Sequence, residues 1–321
     1  MTRAQRFGWR LPALWTSVAA LALIFVFFRS GLDFGYVIPK RLIRLAAMGI
    51  GGVCVAWSSI AFQTITGNRI LTPAIMGYEA IYLMLQALLI LALGTQSLAL
   101  LSATGNFVVS ALTMLGYSWA IHRWLLRGDQ TNVYFLLLVG LVLTVVIGTF
   151  TQFVQLTTSP GEFSMLLGMS QASFNRAELA QLLPAALVVL AVCAAGVRTL
   201  PTLDVLSLGR GQAISLGVDH GRAVRWQLAL IAMLVAVSTS LLGPTAFMGI
   251  FVANLAYALA RDGRHRTTLS TACAIAIAIF IVAQLAVEHL FNYRTTVGIL
   301  VNLVCGAWFL TRMARQRGGH P

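Results

Sequence analysis

The sequence predicts an all-α integral membrane protein, a single bundle of about ten transmembrane helices. Three observations lead there. Of 321 residues, 59% are hydrophobic and only 10% charged, whereas a soluble domain carries about 25% charged residues to cover its wetted surface. Apolar runs recur from one end of the chain to the other, many of about 18 residues or more, the length that crosses a hydrocarbon core in helical form. The basic residues fall in short segments between these runs, where they set topology.

The first span is 11–28. Arg3, Arg6 and Arg10 precede it in the manner of a signal peptide, but the run is long and no A-x-A site follows, so it reads as an uncleaved first helix. The second, 45–65, carries small residues at helix-packing spacing, Ala47 with Gly51 and Gly52 with Ala56. Such pairs let backbones approach where lipid offers no hydrophobic drive. The third, 74–94, follows Pro73 and holds Glu79 in its first turns, where the helix dipole favours a carboxylate. The fourth and fifth are 103–122 and 133–155. In the fifth, Thr149, Gln152 and Gln155 recur at i, i+3 and i+6, either lining a polar pathway or bonding to neighbouring helices. A short amphipathic stretch, 163–174, is expected at the interface. The sixth span, 179–197, has the small pair Ala191 and Ala195. A second amphipathic stretch, 202–219, separates it from the remaining spans, 226–243, 245–260, 268–290 and 295–312. Residues 1–321 are thereby used up as one transmembrane domain.

With the N-terminus placed inside, 16 of the 22 Lys and Arg residues fall in cytoplasmic segments, and both termini are cytoplasmic. A bacterial inner membrane is the expected location. The net charge of +13 forms no contiguous basic stripe, so nucleic acid is not a partner; lipid is. Cys54, Cys193, Cys273 and Cys305 each lie inside an apolar run without a C-x-x-C neighbour and read as small core residues.

Several chemistries lack their residues. A phosphate-binding loop needs a Gly-rich turn ending in Lys, and the one lysine, Lys40, follows Pro39 in no such turn. Any ATP chemistry therefore belongs to another chain. H-E-x-x-H and G-x-S-x-G are absent, and the histidines lie in loops, at a helix end or in the tail, so no catalytic residue, metal site or cofactor is expected here. Intramembrane carboxylates mark proton pathways, and only Glu79 and Glu288 approach that position.

Residues 202–222 (TLDVLSLGRGQAISLGVDHGR) stand apart. Leu206, Gly209, Ala213 and Leu216 fall on one helical face, and Gly209 with Gly211 divides the stretch into two short helices, with Gly217 suited to a helix C-terminus. An apolar face on a short cytoplasmic helix needs a cover, either the lipid surface or a partner protein.

The segment resembles the coupling-helix region of the permeases of bacterial iron–siderophore and cobalamin ABC importers, whose form is close to L-x-L-G-x-x-x-A-x-x-L-G. Leu206, Leu208, Gly209, Ala213, Leu216 and Gly217 stand at its positions. Arg41-Leu-Ile-Arg44 resembles that family's R-L-P-R, with Ile43 for Pro. NRILTPAIMG from Asn68 to Gly77 resembles N-P-L-A-x-P-x-x-L-G, and GPTAFMG from Gly243 to Gly249 resembles G-P-I-G-F-V-G. There are departures. Val252-Ala253-Asn254 stands where V-P-H is usual, Thr296-Val297-Gly298 where P-V-G is usual, and the D-x-x-A-R ending the ninth helix is Gln284 to Glu288, without its Arg. ANLAY at 253–257 together with LTPAIMG resembles the subgroup importing iron bound to catechol-type siderophores.

The resemblance implies a permease that moves ferric siderophore from periplasm to cytoplasm. It implies ATP and Mg bound on two separate ATPase subunits, a second permease chain in a heterodimer or homodimer, and a periplasmic siderophore-binding protein. It further implies that the segment from Leu206 to Gly217 couples to the ATPase, and that Arg41 and Arg44, with Arg294 as a substitute for the missing Arg, meet acidic residues of the binding protein. Glu79, Thr149, Gln152 and Gln155 are the candidate pathway residues. A proton-coupled carrier working through Glu79, or an intramembrane enzyme, is the competing class.

Overall fold

The computed structural model describes residues 10–31, 33–94, 97–125, 133–260 and 262–317. Within them the chain is helical and forms no strand. The helices are α1 (Arg10–Phe27), α2 (Val37–Thr66), α3 (Tyr78–Leu93), α4 (Ser97–Leu125), α5 (Val133–Leu156), α6 (Pro160–Met169) and α7 (Leu179–Arg198). They continue as α8 (Leu200–Leu206), α9 (Arg210–Ser215), α10 (His220–Leu242), α11 (Ala246–Ala260), α12 (His265–His289) and α13 (Val297–Arg317). Short 3-10 turns occupy Pro73–Met76 and Phe174–Arg176. With α6, α8 and α9 set aside, the remaining ten match the ten expected spans in order.

The boundaries differ where local chemistry was misread. The second helix begins at Val37 rather than 45. Pro39 suits a first turn, where no intrahelical donor is lost, and the charges of Lys40, Arg41 and Arg44 lie on helix rather than loop. The fourth begins at Ser97, but Ser102 has φ 54° and ψ 163°, so the regular stretch starts at 103 as expected. The amphipathic stretch expected over 163–174 falls on α6, which starts at Pro160, and on the 3-10 turn at Phe174–Arg176. The start of α6 carries a capping box, Ser159 accepting from the Glu162 N–H while the Glu162 carboxylate accepts from Ser159. The Ser159 N–H, then its hydroxyl, holds the Glu162 carboxyl below its usual pKa.

Helices α2, α10 and α12 form the centre. In each, 61–72% of the apolar window is buried within the chain, against 22% for α5 and 33% for α7. Close packing at the centre rests on the small residues of α2. A side chain on Gly52 would meet Ile277 Cγ1 at 2.7 Å and the Ile277 amide nitrogen at 3.2 Å, and one on Gly51 would meet Leu242 at 2.2 Å. The other expected pair behaves differently. Ala191 is exposed and Ala195 half-buried; the small residue that packs on α7 is Gly196, where a side chain would meet the Trp57 ring at 2.6 Å.

Because Leu242 ends α10 beside Gly51, the break between α10 and α11 lies level with the middle of α2. Lipid supplies no hydrogen bonds to a broken backbone, and the protein supplies them instead. Arg176 Nη2 donates to Leu242 O at 3.0 Å and to Gln171 O at 2.6 Å, and the Ser173 N–H donates to Leu242 O at 2.9 Å. Across the break, the Thr245 N–H donates to Glu79 Oε1 at 2.9 Å. A cation thus meets the C-terminal end of α10 and an anion the N-terminal end of α11, each the sign that the dipole favours. Gly243, at φ 95°, makes the turn.

Away from α8 and α9, Arg41 ties three helices. Its Nη1 donates to the carbonyls of Phe25 and Val26 in the last turn of α1 and of Phe28 just past its end, at 3.0, 3.2 and 2.6 Å, and its Nη2 pairs with Glu288 Oε1 of α12 at 2.6 Å. The side chain is 4% exposed. Removing one partner of a buried pair leaves an uncompensated charge, at a cost of about 3–5 kcal/mol. Arg41→Ala should therefore lower the thermal unfolding midpoint of the purified protein strongly. Arg44→Ala, whose side chain is 20% exposed, should shift it by less than about 1 kcal/mol. Gly52→Val should cost about 1–3 kcal/mol by overpacking against Ile277, read in the same thermal assay.

Candidate functional site

The segment singled out by sequence folds as two short helices, as expected. Pro201 opens α8 in its first turn. Gly209, at φ 96°, separates α8 from α9, and Gly217, at φ 81°, ends the second. The apolar residues, however, do not share one exposed face. Leu206 is 5% exposed and Ala213 fully buried, whereas Leu208 and Leu216 are 53% and 61% exposed. The reason is the turn at Gly209: it rotates α9 relative to α8, so a face drawn on one continuous helix does not survive. Leu200, Leu203, Leu206 and Ala213 anchor the element to the bundle, and Leu208, Ile214 and Leu216 form its uncovered apolar tip. Ile214 escaped the sequence reading because it lies off the expected face.

Polar bonds fix the base of this element. Asp204 Oδ1 accepts from the His265 backbone N–H at 2.8 Å and lies 2.6 Å from His265 Nδ1. His265 Nε2 in turn lies 2.8 Å from Thr64 Oγ1 of α2. At the start of α8, Gln227 Nε2 of α10 donates to Thr199 Oγ1 at 2.9 Å. His265, assigned to a loop by sequence, is the first residue of α12 and buried. Its signal was its position just ahead of an apolar run, three residues after the loop residue Asp262.

The expected docking arginines separate into two kinds. Arg41 is corrected: rather than facing outward, its guanidinium is enclosed by carbonyls and Glu288. Where the resemblance leads one to look for Arg at 288, a Glu stands, and its charge draws Arg41 inward. Arg44 stays near the surface, its Nη1 donating to the Tyr293 hydroxyl at 3.1 Å and lying 3.7 Å from Glu288 Oε2. Arg294 is exposed.

Three of the four pathway candidates come together. Glu79, Gln152 and Gln155 line a cavity of about 390 Å³ between α3, α5 and α6, with Thr144, Thr151 and Ser170. Thr149 does not join them. It is exposed, and its hydroxyl donates to Val145 O at 2.9 Å. The face that lines the cavity follows i, i+4, i+7, i+8 and i+11 from Thr144, the period of a real helical stripe, whereas i, i+3, i+6 drifts off it. Glu79 also borders a water-sized space of about 20 Å³ walled by Ser58, Ser59, Ser238, Thr239 and Thr245. Its carboxylate serves the start of α11 by accepting from the Thr245 N–H.

Comparison with known proteins agrees with this architecture. The model of the FecCD transport family matches residues 10–315. The petrobactin import system permease protein of Bacillus subtilis is 32% identical over 293 residues, covering 91% of this chain and 93% of that one. A petrobactin import system permease protein of Bacillus anthracis is also 32% identical, covering 88% of this chain and 79% of that protein. The vitamin B12 import system permease protein of Vibrio vulnificus is more distant, at 25% over 97% of this chain and 92% of its own. Among solved structures, an inward-facing conformation of a metal-chelate type ABC transporter superposes with a TM-score of 0.84 at 18% identity, covering 96% of this chain and 99% of that one. At that identity the likeness concerns the fold. The fold thus has its place in a known architecture, and the chain is a multi-pass membrane permease belonging to the FecCD transport family.

Proposed function

We propose that the chain is the permease subunit of an ATP-driven importer carrying a ferric siderophore of the petrobactin type from the periplasm to the cytoplasm. Two separate ATPase subunits bind ATP and Mg. A second permease chain completes the pathway, and a periplasmic binding protein delivers the chelate. The termini lie on the cytoplasmic side of a bacterial inner membrane, on the same side as α8 and α9.

One observation carries the reading: α8 and α9 present three uncovered apolar side chains, Leu208, Ile214 and Leu216, on a base packed into the bundle by Leu203, Leu206 and Ala213. An apolar tip on a fixed base is shaped to seat in a cleft of another protein and to pass on its movement. The petrobactin import permeases that resemble this chain over most of its length support the substrate class. The pathway wall is the polar stripe of α5 with Glu79, and only part of α5 is buried within one chain, which leaves a surface for the second permease chain. The chelate carries its iron wrapped in its own ligands, so the pathway needs no metal cage of its own.

Arg44 and Arg294 are the docking cations on the outer side in this reading, with Arg41 holding the helices behind them. Exposed ion pairs contribute about 0–1 kcal/mol each and are screened by salt.

Leu208→Glu combined with Leu216→Glu should abolish co-purification of the ATPase subunits, a loss of at least about tenfold from truncating anchors at an interface centre, while leaving the thermal midpoint unchanged. Retention of the complex would overturn the assignment of the tip. Leu206→Glu should instead destabilise the protein itself, because that side chain is buried. Arg44→Glu with Arg294→Glu should slow association of the binding protein, measured by surface plasmon resonance, and flatten its dependence on ionic strength. Glu79→Gln should leave ATP-dependent uptake of radiolabelled ferric petrobactin in place; abolition of uptake with ATPase activity intact would favour the proton-coupled carrier.

A further inference from the structure

The coupling tip is useful only if its displacement reaches the core helices, and the structure shows where those connections are made. Helix α8 has polar bonds to α10 and α12, and through the latter to α2, the three helices at the centre of the bundle. Thr199, at its N-cap, accepts from Gln227 of α10 at 2.9 Å. Asp204, in its last turn, bonds both the backbone and the ring of His265, the first residue of α12, at 2.8 and 2.6 Å. The far side of the same ring reaches Thr64, two residues before the end of α2, at 2.8 Å.

We infer that Asp204, His265 and Thr64 form a transmission clamp, in which His265 is a positioning residue that makes α2 and α12 follow any displacement of α8. The inference rests on the proposed coupling role of α8 and α9 and adds the route by which movement leaves them.

Three features favour a clamp over incidental packing. It is directional: a single imidazole takes α8 on Nδ1 and α2 on Nε2, so neither helix can shift without breaking a bond to the same ring. It is enclosed on the bundle side: His265 is buried, whereas Asp204 is 42% exposed. The end facing the partner is accessible and the end facing the core is locked. It also keeps its bonds in either protonation state. The Thr64 hydroxyl can donate to a neutral Nε2, or accept from a protonated one and donate to Ile60 O, 2.8 Å away. Apolar contacts alone slide; a bond geometry fixed at both ring nitrogens does not.

Beyond Thr64 the connection continues to α11. Arg69, in the turn after α2, places its guanidinium 4.8 Å from the centroid of the Tyr257 ring, and its carbonyl accepts from Asn254 Nδ2 at 3.0 Å. A movement delivered to the end of α2 therefore has a further polar contact to α11, whose first turn holds the break sealed by Glu79.

The test uses the full permease in complex with its ATPase subunits, reconstituted in proteoliposomes. The native cysteines are replaced by alanine, and Phe34→Cys, in the exposed segment before α2, carries an environment-sensitive fluorophore. The signal is the change in emission on adding ATP and Mg with vanadate. Thr64→Val removes the hydroxyl while keeping the side-chain shape, and should reduce this change by about tenfold without altering the yield of co-purified ATPase. Thr64→Ser restores the hydroxyl and should restore the signal. His265→Asn, which retains a donor near the Nδ1 position but cannot reach Thr64, should behave like Thr64→Val. A Thr64→Val signal within about twofold of the parent overturns the clamp, since coupling of this kind is worth about 5- to 150-fold. So does a parent complex that retains the ATPase but gives no nucleotide-driven change at residue 34, because then no movement reaches that end of α2. A parent permease that fails to retain the ATPase overturns the proposed function, and the clamp with it.

Discussion

Lipid cannot hydrogen-bond a peptide group, and this constraint governs the structure more than any single contact. Continuous helices satisfy it by themselves. The break after Leu242 does not, and it lies beside the middle of α2. The carbonyl of Leu242 and the N–H of Thr245, left without intrahelical partners, each receive a charged one, Arg176 and Glu79. The two partners come from different parts of the chain, one from the 3-10 turn after α6 and one from the first turn of α3. Closing the break therefore brings α3, the 170–178 segment, α10 and α11 to one place. The cavities beside Glu79 follow from that arrangement, because helices that end inside a bundle leave room where a continuous helix would fill it.

The same constraint explains the small residues. Without a hydrophobic drive between helices, cohesion must come from contact, and contact requires that backbones approach. Gly51 and Gly52 let Leu242 and Ile277 sit against α2. Gly249 lies where a side chain would meet Ser59 Oγ at 2.2 Å, and Gly298 where one would meet the Ala172 amide nitrogen at 2.7 Å. The last case bears on a departure from the family pattern. Pro is replaced by Thr296 ahead of this glycine, and the Thr296 hydroxyl accepts from the Ile299 N–H at 3.4 Å, serving the helix start that Pro would have favoured by its fixed φ.

How much was legible in the sequence follows from the range of each interaction. Ten spans were readable because hydropathy is summed over about 20 residues, and errors at single positions cancel. The two short helices at 200–215 were readable because Gly209 is a local signal. The orientation of their leucines was not, because one positive φ rotates everything beyond it. Arg41 was placed outward by the family resemblance, because its pairing with Glu288, 247 residues later in the chain, leaves no local trace. His265 and Thr64 are 201 residues apart, and nothing local to either marks their meeting. Thr149 was grouped with Gln152 and Gln155 by a spacing that stays near one helical stripe over a single step of three residues and leaves it over two.

Two of the departures from the family pattern, at 284–288 and 296–298, lie at helix ends, where the packing leaves more freedom to vary. A residue in the middle of α2 or α12 is held by backbone contact on several sides, so a change of volume there is felt throughout the bundle. At an end, one polar bond can be exchanged for another. Asn254, where the pattern has His, is the exception: it lies within α11 and bonds the Arg69 carbonyl after the end of α2 and its own helix at Ile250 O, 3.0 and 2.9 Å away. Glu288, where the pattern has Arg, changes an outward cation into the acceptor of an internal pair. The bundle thus combines backbone contact at its centre, where Gly51 and Gly52 lie against Leu242 and Ile277, with polar bonds between helix ends, where Arg41 pairs with Glu288 and His265 with Asp204.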